Sequence, residues 1–312
     1  MPYRFVAVSV ELKRLLEIAD DVIRKCRAIV VMGAGNQKAG IVKSKGVSSI
    51  LTGAVQNNPN YVWNQPLKNG GVTAAFGAGN CQDQGALTYT ILRSVLSKRE
   101  VASFCVNNTI HHSFATIGDP ENSPPTHVVC VDPWPIKAQA VLVQDHFCKK
   151  GLQVITGKTR YSKPGGKDPD YMSRLTKHAP PSELLELWRL YVSHNTFDVE
   201  EILKRSDEAR VLWHHEYCSD DNSIIVYRVP PRWVPDDERP RCSGCNVEFK
   251  LTLRRHHCRA CGEVFCDNCT KARSRVGVPA TRPGSKALND SRDRVRVCDP
   301  CNNRIRSSGL GG

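Results

Sequence analysis

Residues 242–269 read CSGCNVEFKLTLRRHHCRACGEVFCDNC, and the pattern closes at residues 294–301 with RVRVCDPC. From Cys242 the spacing is C-x2-C-x12-C-x2-C-x4-C-x2-C-x28-C-x2-C. Four such pairs close together suit two tetrahedral four-thiolate sites, which is how zinc is held when its role is structural. The expected ligands of two Zn2+ ions are Cys242, Cys245, Cys258, Cys261, Cys266, Cys269, Cys298 and Cys301. Large apolar residues are few here, so metal binding must supply most of the folding free energy.

Around the third ligand stand Arg254, Arg255, His256, His257 and Arg259. Alternate residues of a short strand face one side, yet the cluster can line one shallow pocket together with Arg296. Arginine forks bind phosphate bidentately and histidines add donors, so the pocket suits a doubly phosphorylated head group. The chain carries a formal net charge of +13. Residues 228–312 hold 18 Lys/Arg against 9 Asp/Glu. That local excess falls to about +5 once eight thiolates and two zinc dications are counted. A compact basic module suits a phosphate-bearing partner, either nucleic acid or anionic lipid.

These motifs together resemble the FYVE family. Trp233-Val-Pro-Asp236 matches its W-x-x-D, residues 254–259 its R-R-H-H-C-R, and Arg296-Val-Cys298 its R-V-C, over roughly residues 230–305. The resemblance implies one zinc on Cys242, Cys245, Cys266 and Cys269, and the other on Cys258, Cys261, Cys298 and Cys301. It implies head-group contacts from Asp236, Arg254, Arg255, His256, His257, Arg259 and Arg296 to phosphatidylinositol 3-phosphate, with peripheral residence on early endosomal membranes. The loop Phe249-Lys-Leu251-Thr252-Leu253 is the one that would dip into the bilayer, led by Leu251 with Thr252 beside it. One buried leucine contributes only about 1.5–3 kcal/mol. Head-group recognition must therefore accompany insertion, and a homodimer would add avidity. A nucleic-acid-binding zinc ribbon would not require W-x-x-D and H-H-C-R together. A RING-type ligase typically has histidine among its ligands.

The remaining cysteines are Cys26, Cys81, Cys105, Cys130, Cys148 and Cys218. No apolar run approaches the length of a spanning helix, and the N-terminus lacks a signal peptide's pattern, so the expectation is a cytoplasmic chain with free thiols. Apolar residues recur at helical steps over 10–30 and again over about 84–96. Residues 33–79 are rich in Gly, Asn and Ser and show no clear period. β-like runs follow at Val101–Val106, Ser113–Ile117, Val128–Val131 and Ala140–Val143. An exposed loop is expected at 160–180, helices at Pro181–Val192 and Asp198–Arg205, and a last strand at Ile224–Val229. The pair Gly33-Ala-Gly35 does not make a dinucleotide site, because position 38 is Lys and no acidic residue follows at the required distance.

Cys81 lies in Gly79-Asn-Cys81-Gln-Asp-Gln-Gly, a small-residue turn feeding the helix, where the positive end of the macrodipole favours thiolate. His112 starts one β-run and Asp132 ends the next, so adjacent strands could align a Cys81–His112–Asp132 triad. The G-N-C, H-x-F and D-P-W strings are similar to papain-like and transglutaminase-like cysteine enzymes. They look most like the small proteases and glutamine deamidases that bacterial pathogens deliver into host cells. The match covers about Gly77–Val143. It departs from the papain pattern in lacking a glutamine six residues before Cys81; the Cys81 backbone N–H with Asn80, Gln82 or Gln84 could serve as oxyanion donors.

The sequence thus predicts an α+β protein, with a papain-like domain at 1–225, a linker at 226–232, a cross-braced two-zinc FYVE finger at 233–305 and a tail at 306–312. Two functions follow: a cysteine hydrolase carried to membranes by its finger, acting on a protein substrate and not on nucleic acid, or a non-enzymatic lipid-binding adaptor if Cys81 is inert.

Overall fold

The computed structural model describes residues 3–62, 65–107, 110–149, 162–166, 199–208, 216–284 and 294–307. It opens with strand β1 (Tyr3–Ala7) and helix α1 (Val10–Ile29), the latter realising the amphipathic period of residues 10–30. Leu16, Ala19, Val22, Ile23 and Cys26 of α1 are buried. The stretch 33–79, where no period is legible, holds three short helices: α2 (Lys38–Lys43), α3 (Val47–Gln56) and α4 (Pro66–Phe76). None has a side-chain cap. Proline at the first turn starts α4, and Gly77 at φ 64° ends it, a division of roles that suits both residues.

Helix α5 (Cys81–Val95) begins three residues before the expected onset. The Asn80 side chain accepts from the amides of Gln82 and Asp83, while Asp83 accepts from the Asn80 amide. That reciprocal box fixes the helix start at Cys81. Helix α5 packs on α4 and on a five-stranded antiparallel sheet built from β2 (Val101–Asn107), β3 (His112–Ile117), β4 (Val129–Val131), β5 (Val141–Leu142) and β6 (Ser162–Pro164). The strand order is β5-β4-β3-β2-β6. Gly85 permits the close approach, since a Cβ there would lie 3.0 Å from the Phe104 ring and 3.1 Å from the Phe114 Cα. The expected β-runs are all present: β2 and β3 are each one residue longer than expected, β4 and β5 are shorter, and β6 is an addition.

Helix α6 (Val199–Glu208) lies where a helix at 198–205 is expected. The expected helix at 181–192 and most of the expected loop at 160–180 fall outside the described residues. Strand β7 (Ile224–Arg228) pairs with β1. Two compact units result, one of residues 14–224 and one combining residues 1–13 with 225–312. The first thirteen residues, expected with the first domain, pack in the second unit because β1 pairs with β7.

In that second unit β8 (His256–His257) pairs with β9 (Val264–Phe265), β10 (Arg273–Arg275) pairs with β11 (Arg294–Arg296), and α7 (Asp299–Ser307) follows. Its small core is made of the cysteines themselves with Val234, Phe249, Val264, Phe265 and Val297. Among the described residues no helix is long and apolar enough to cross a membrane.

Candidate functional site

The eight clustered cysteines converge as two groups of four. Cys242, Cys245, Cys266 and Cys269 form one, and Cys258, Cys261, Cys298 and Cys301 the other, with the sulfurs of each group within 4.8 Å of one another. The pairs alternate along the chain, first with third and second with fourth, which is a cross-brace. Tetrahedral zinc with sulfur at about 2.3 Å places its ligands about 3.8 Å apart. The Cys245 and Cys266 sulfurs are 3.7 Å apart. Backbone amides of Gly244 and Cys266 each donate to the Cys242 sulfur at 3.3 Å. Burial pushes the Cys242 thiol up, but these amides and that of Cys245 outweigh it and bring it down to about 6. The Cys258 thiol falls to about 5, chiefly through its hydrogen bond from Cys261. Soft thiolates in two four-membered sets fit two zinc ions and leave no open position for chemistry.

Beside the second cluster lies a pocket of about 650 Å³. Arg255, His256, His257, Arg259 and Arg296 all line it, as the sequence leads one to expect, together with Trp233 and Arg273. Arg254 and Asp236 are exposed and stand outside its lining, although the Asp236 carboxylate comes within 3.8 Å of His257 Nε2. The His257 ring stacks on Trp233 at 3.8 Å, and its Nε2 donates to the Val234 carbonyl at 2.7 Å. Arg259 lies over the other ring partner, 4.6 Å from the Trp233 centroid. Arg296 donates to the Asp267 carboxylate at 2.7 Å. Burial, then the charge of Arg296, hold His256 below the usual histidine range, with Asp267 opposing them. A pocket whose cations depress one another is short of anions. Leu251, at the tip of the loop before β8, is fully exposed, and Thr252 beside it is exposed too.

The second constellation lies in the other unit. His112 Nε2 and Asp132 Oδ2 are 2.7 Å apart, both side chains buried. Burial alone would push the His112 imidazole down, but the Asp132 carboxylate, and after it the Cys81 sulfur, lift it well above its ordinary value. Asp132 is held low by His112 and then His146, against the pull of burial. Cys81 sits at the first turn of α5, with its thiol directed at the His111 carbonyl 3.7 Å away. It packs with Ala34 and Trp134. The helix start, β3 and β4 thus bring the three expected residues to one place. Of the candidate oxyanion donors, the Gln84 amide is engaged by the Gly79 carbonyl and the Asn80 oxygen by the cap.

Sequence reasoning missed His146. Its Nδ1 accepts from the Cys148 amide at 3.2 Å, so Nε2 bears the proton and donates to Asp132 Oδ2 at 3.3 Å. The Trp134 amide donates to Asp132 Oδ1 at 3.1 Å, and the Trp134 ring lies 4.9 Å from His112. Asp132 is therefore held from three sides. No motif marks His146; only the fold brings it to the carboxylate. Burial raises the thiols of Cys26 and Cys105 to about 12, and those of Cys130, Cys148 and Cys218 are also raised, first by burial. They serve as small apolar residues.

The FYVE zinc finger family model matches residues 232–307. Similar proteins include zinc finger FYVE domain-containing protein 16 of Mus musculus, 48% identical over 54 residues, covering 17% of this chain and 4% of that protein. Protein FREE1 of Arabidopsis thaliana is 42% identical over 69 residues, 22% of this chain and 10% of that protein. Zinc finger FYVE domain-containing protein 9 of Homo sapiens is 41% identical over 80 residues, 26% of this chain and 5% of that protein. The chain thus spans a tenth or less of the length of these relatives. Among solved structures, the LM5-1 FYVE domain of Leishmania major is 35% identical, covering 27% of this chain and 89% of that one at a TM-score of 0.21. The VHS and FYVE tandem domains of HRS are 22% identical, covering 44% and 59% at a TM-score of 0.19.

Proposed function

Because residues 232–307 are a FYVE zinc finger that holds two zinc ions, we propose that this protein recognises phosphatidylinositol 3-phosphate on endosomal membranes. The observation that carries this reading is the pocket lined by Arg255, His256, His257, Arg259 and Arg296. The metal ions shape the module and bear no reactive position; the pocket side chains do the binding. Guanidinium forks bind the phosphate oxygens, and His256 gains a proton to add a further donor. Trp233 and the Val234 carbonyl fix the His257 ring, so the pocket meets its ligand preorganised. Leu251 enters the acyl region and adds about 1.5–3 kcal/mol, too little to anchor the chain without the head group. Binding is thereby reversible and addressed by the lipid. Vesicles of phosphatidylcholine carrying phosphatidylinositol 3-phosphate should bind the full chain. Arg255→Ala should reduce that binding at least about tenfold, since it removes a charge-assisted contact from the pocket. Unchanged affinity in Arg255→Ala would remove the pocket from the account.

A second reading concerns the other unit and is favoured by the His112–Asp132 pair beside Cys81, the first residue of α5. In it, residues 14–224 form a papain-like cysteine hydrolase acting on a protein substrate. His112 keeps its Nε2 proton toward Asp132 and takes the Cys81 proton at Nδ1. The thiolate then attacks an amide carbonyl carbon, and the departing amine leaves with the proton from His112. Water, deprotonated by the same imidazole, cleaves the resulting thioester and restores the thiol. Peptide cleavage and glutamine deamidation share these steps. The finger would then bring the enzyme to membrane-bound substrates; with Cys81 inert, the chain would be a lipid-binding adaptor.

A further inference from the structure

His146 is a buried titratable group that no step of the thiol chemistry uses, and it shares its partner with His112. Both imidazoles turn Nε2 to one carboxylate oxygen, Asp132 Oδ2, at 2.7 Å from His112 and 3.3 Å from His146. The Trp134 amide donates to Oδ1 at 3.1 Å. The two imidazoles and the carboxylate are all buried. A polar ring in such a place costs free energy unless its nitrogens are engaged. Here both are: the Cys148 amide donates to Nδ1 at 3.2 Å, which leaves the proton on Nε2 and aims it at Asp132. The backbone around the ring is held as well. His146 bridges Ser219 in antiparallel register, and the Phe147 amide donates to the Cys218 carbonyl at 3.0 Å. The rings of Phe114 and Phe147 lie 4.8 and 4.3 Å from the imidazole.

The two histidines cannot act alike. A second proton on His146 would have to sit on Nδ1, where the Cys148 N–H already points, and two donors would then face each other. His112 commits Nε2 to Asp132 and keeps Nδ1 for the Cys81 proton. We propose that His146 is a positioning residue for the Cys81–His112–Asp132 site, a fixed neutral N–H that holds the Asp132 carboxylate ionised and turned toward His112, so that His112 alone takes up charge. Burial keeps the His146 imidazole below its ordinary value, with Asp132 and Asp220 opposing and His112 adding to the effect. When the proton moves from Cys81 Sγ to His112 Nδ1, the carboxylate stabilises the imidazolium, and such a contact is stronger in a buried site. Without the His146 donor the carboxylate is free to turn and costs more to keep ionised. The part played in turnover rests on the hydrolase reading, whereas the charge carried by His112 does not.

The test compares His146→Gln with His146→Asn in the full chain. The Gln amide nitrogen can stand where Nε2 does and donate to Asp132, whereas the Asn oxygen stands where Nδ1 does and only accepts from Cys148. The rate of Cys81 labelling by iodoacetamide is followed against pH. The unaltered chain and His146→Gln should share one thiolate limb. In His146→Asn that limb should lie about one pH unit higher, with labelling below it about tenfold slower. A purely structural role would lower the melting temperature and leave the limb in place. A second readout needs no reactive thiol: histidine nitrogen NMR of Cys81→Ala, with His112 and His146 assigned by the loss of each signal on substitution. His112 should charge above the usual histidine range, and about one pH unit lower once His146→Asn is added. His146 itself should stay neutral, with its proton on Nε2, wherever His112 titrates. That last measurement needs no substitution at His146 beyond the assignment, so a variant that fails to fold does not decide the matter. If Cys81 is unreactive while the His112 titration still falls in His146→Asn, the hydrolase reading is lost and the positioning role stands. A His112 titration left unmoved by His146→Asn, a limb displaced equally in both variants, or a His146 that charges before His112 would overturn the proposal.

Discussion

His256 shows how one side chain turns the pocket's charge into a pH response. It feels the charges of Arg254, Arg273 and Arg296, and its Nε2 lies 3.8 Å from the same Asp267 carboxylate oxygen that accepts from Arg296. In the free finger, burial and then Arg296 keep the imidazole below its usual range. A bound phosphate dianion supplies opposite charge and raises it. The bound form therefore has the higher pKa, binding takes up a proton, and affinity rises as pH falls from the bound value toward the free one. Dissociation constants measured between about pH 7.5 and about pH 6 should fall severalfold, and the dependence should flatten in His256→Gln. A flat profile in the unaltered chain would mean that His256 acts only as a neutral donor. At this scale the sequence was highly legible where motifs are contiguous, as in residues 254–259. Arg273 escaped because its significance lies in facing Arg296 across a ribbon, and strand register is not written in local spacing. His146 escaped for the same kind of reason, since its link to Asp132 is made by the fold.

Three elements meet at Cys81: the start of α5 gives the thiol, β3 the imidazole and the end of β4 the carboxylate. Their alignment predicts a selective reactivity. Iodoacetamide near neutral pH should label Cys81 in preference to Cys26, whose thiol burial raises to about 12, and His112→Ala should erase the preference. Labelling of Cys81 no faster than Cys26 would leave the adaptor reading. The elements themselves were legible where apolar residues recur strongly, as in α1 and the buried strands β2 and β3. Helices α2, α3 and α4 were not, because they are short, uncapped by side chains and rich in glycine and serine. The onset of α5 was missed by three residues because its period begins at the apolar positions, while its start is set by the Asn80–Asp83 box. Strand β1 carries no signal of its own and exists by pairing with β7.

The whole molecule has two units, with the zinc finger in one and Cys81, His112 and Asp132 together in the other. The module of residues 232–307 is held by metal and few apolar side chains, so its pocket stands or falls with its zinc. With a modest charge once the thiolates are counted and Leu251 exposed at the loop tip, it gains little from bulk attraction. Selectivity must come from the placement of the forks around the phosphate. The measurement that bears most directly on this is equilibrium binding of the full chain to two vesicle preparations of equal charge. One bears phosphatidylinositol 3-phosphate and the other phosphatidylinositol 4-phosphate. The pocket predicts an affinity at least about tenfold higher for the 3-phosphate; equal affinity for the two would contradict it.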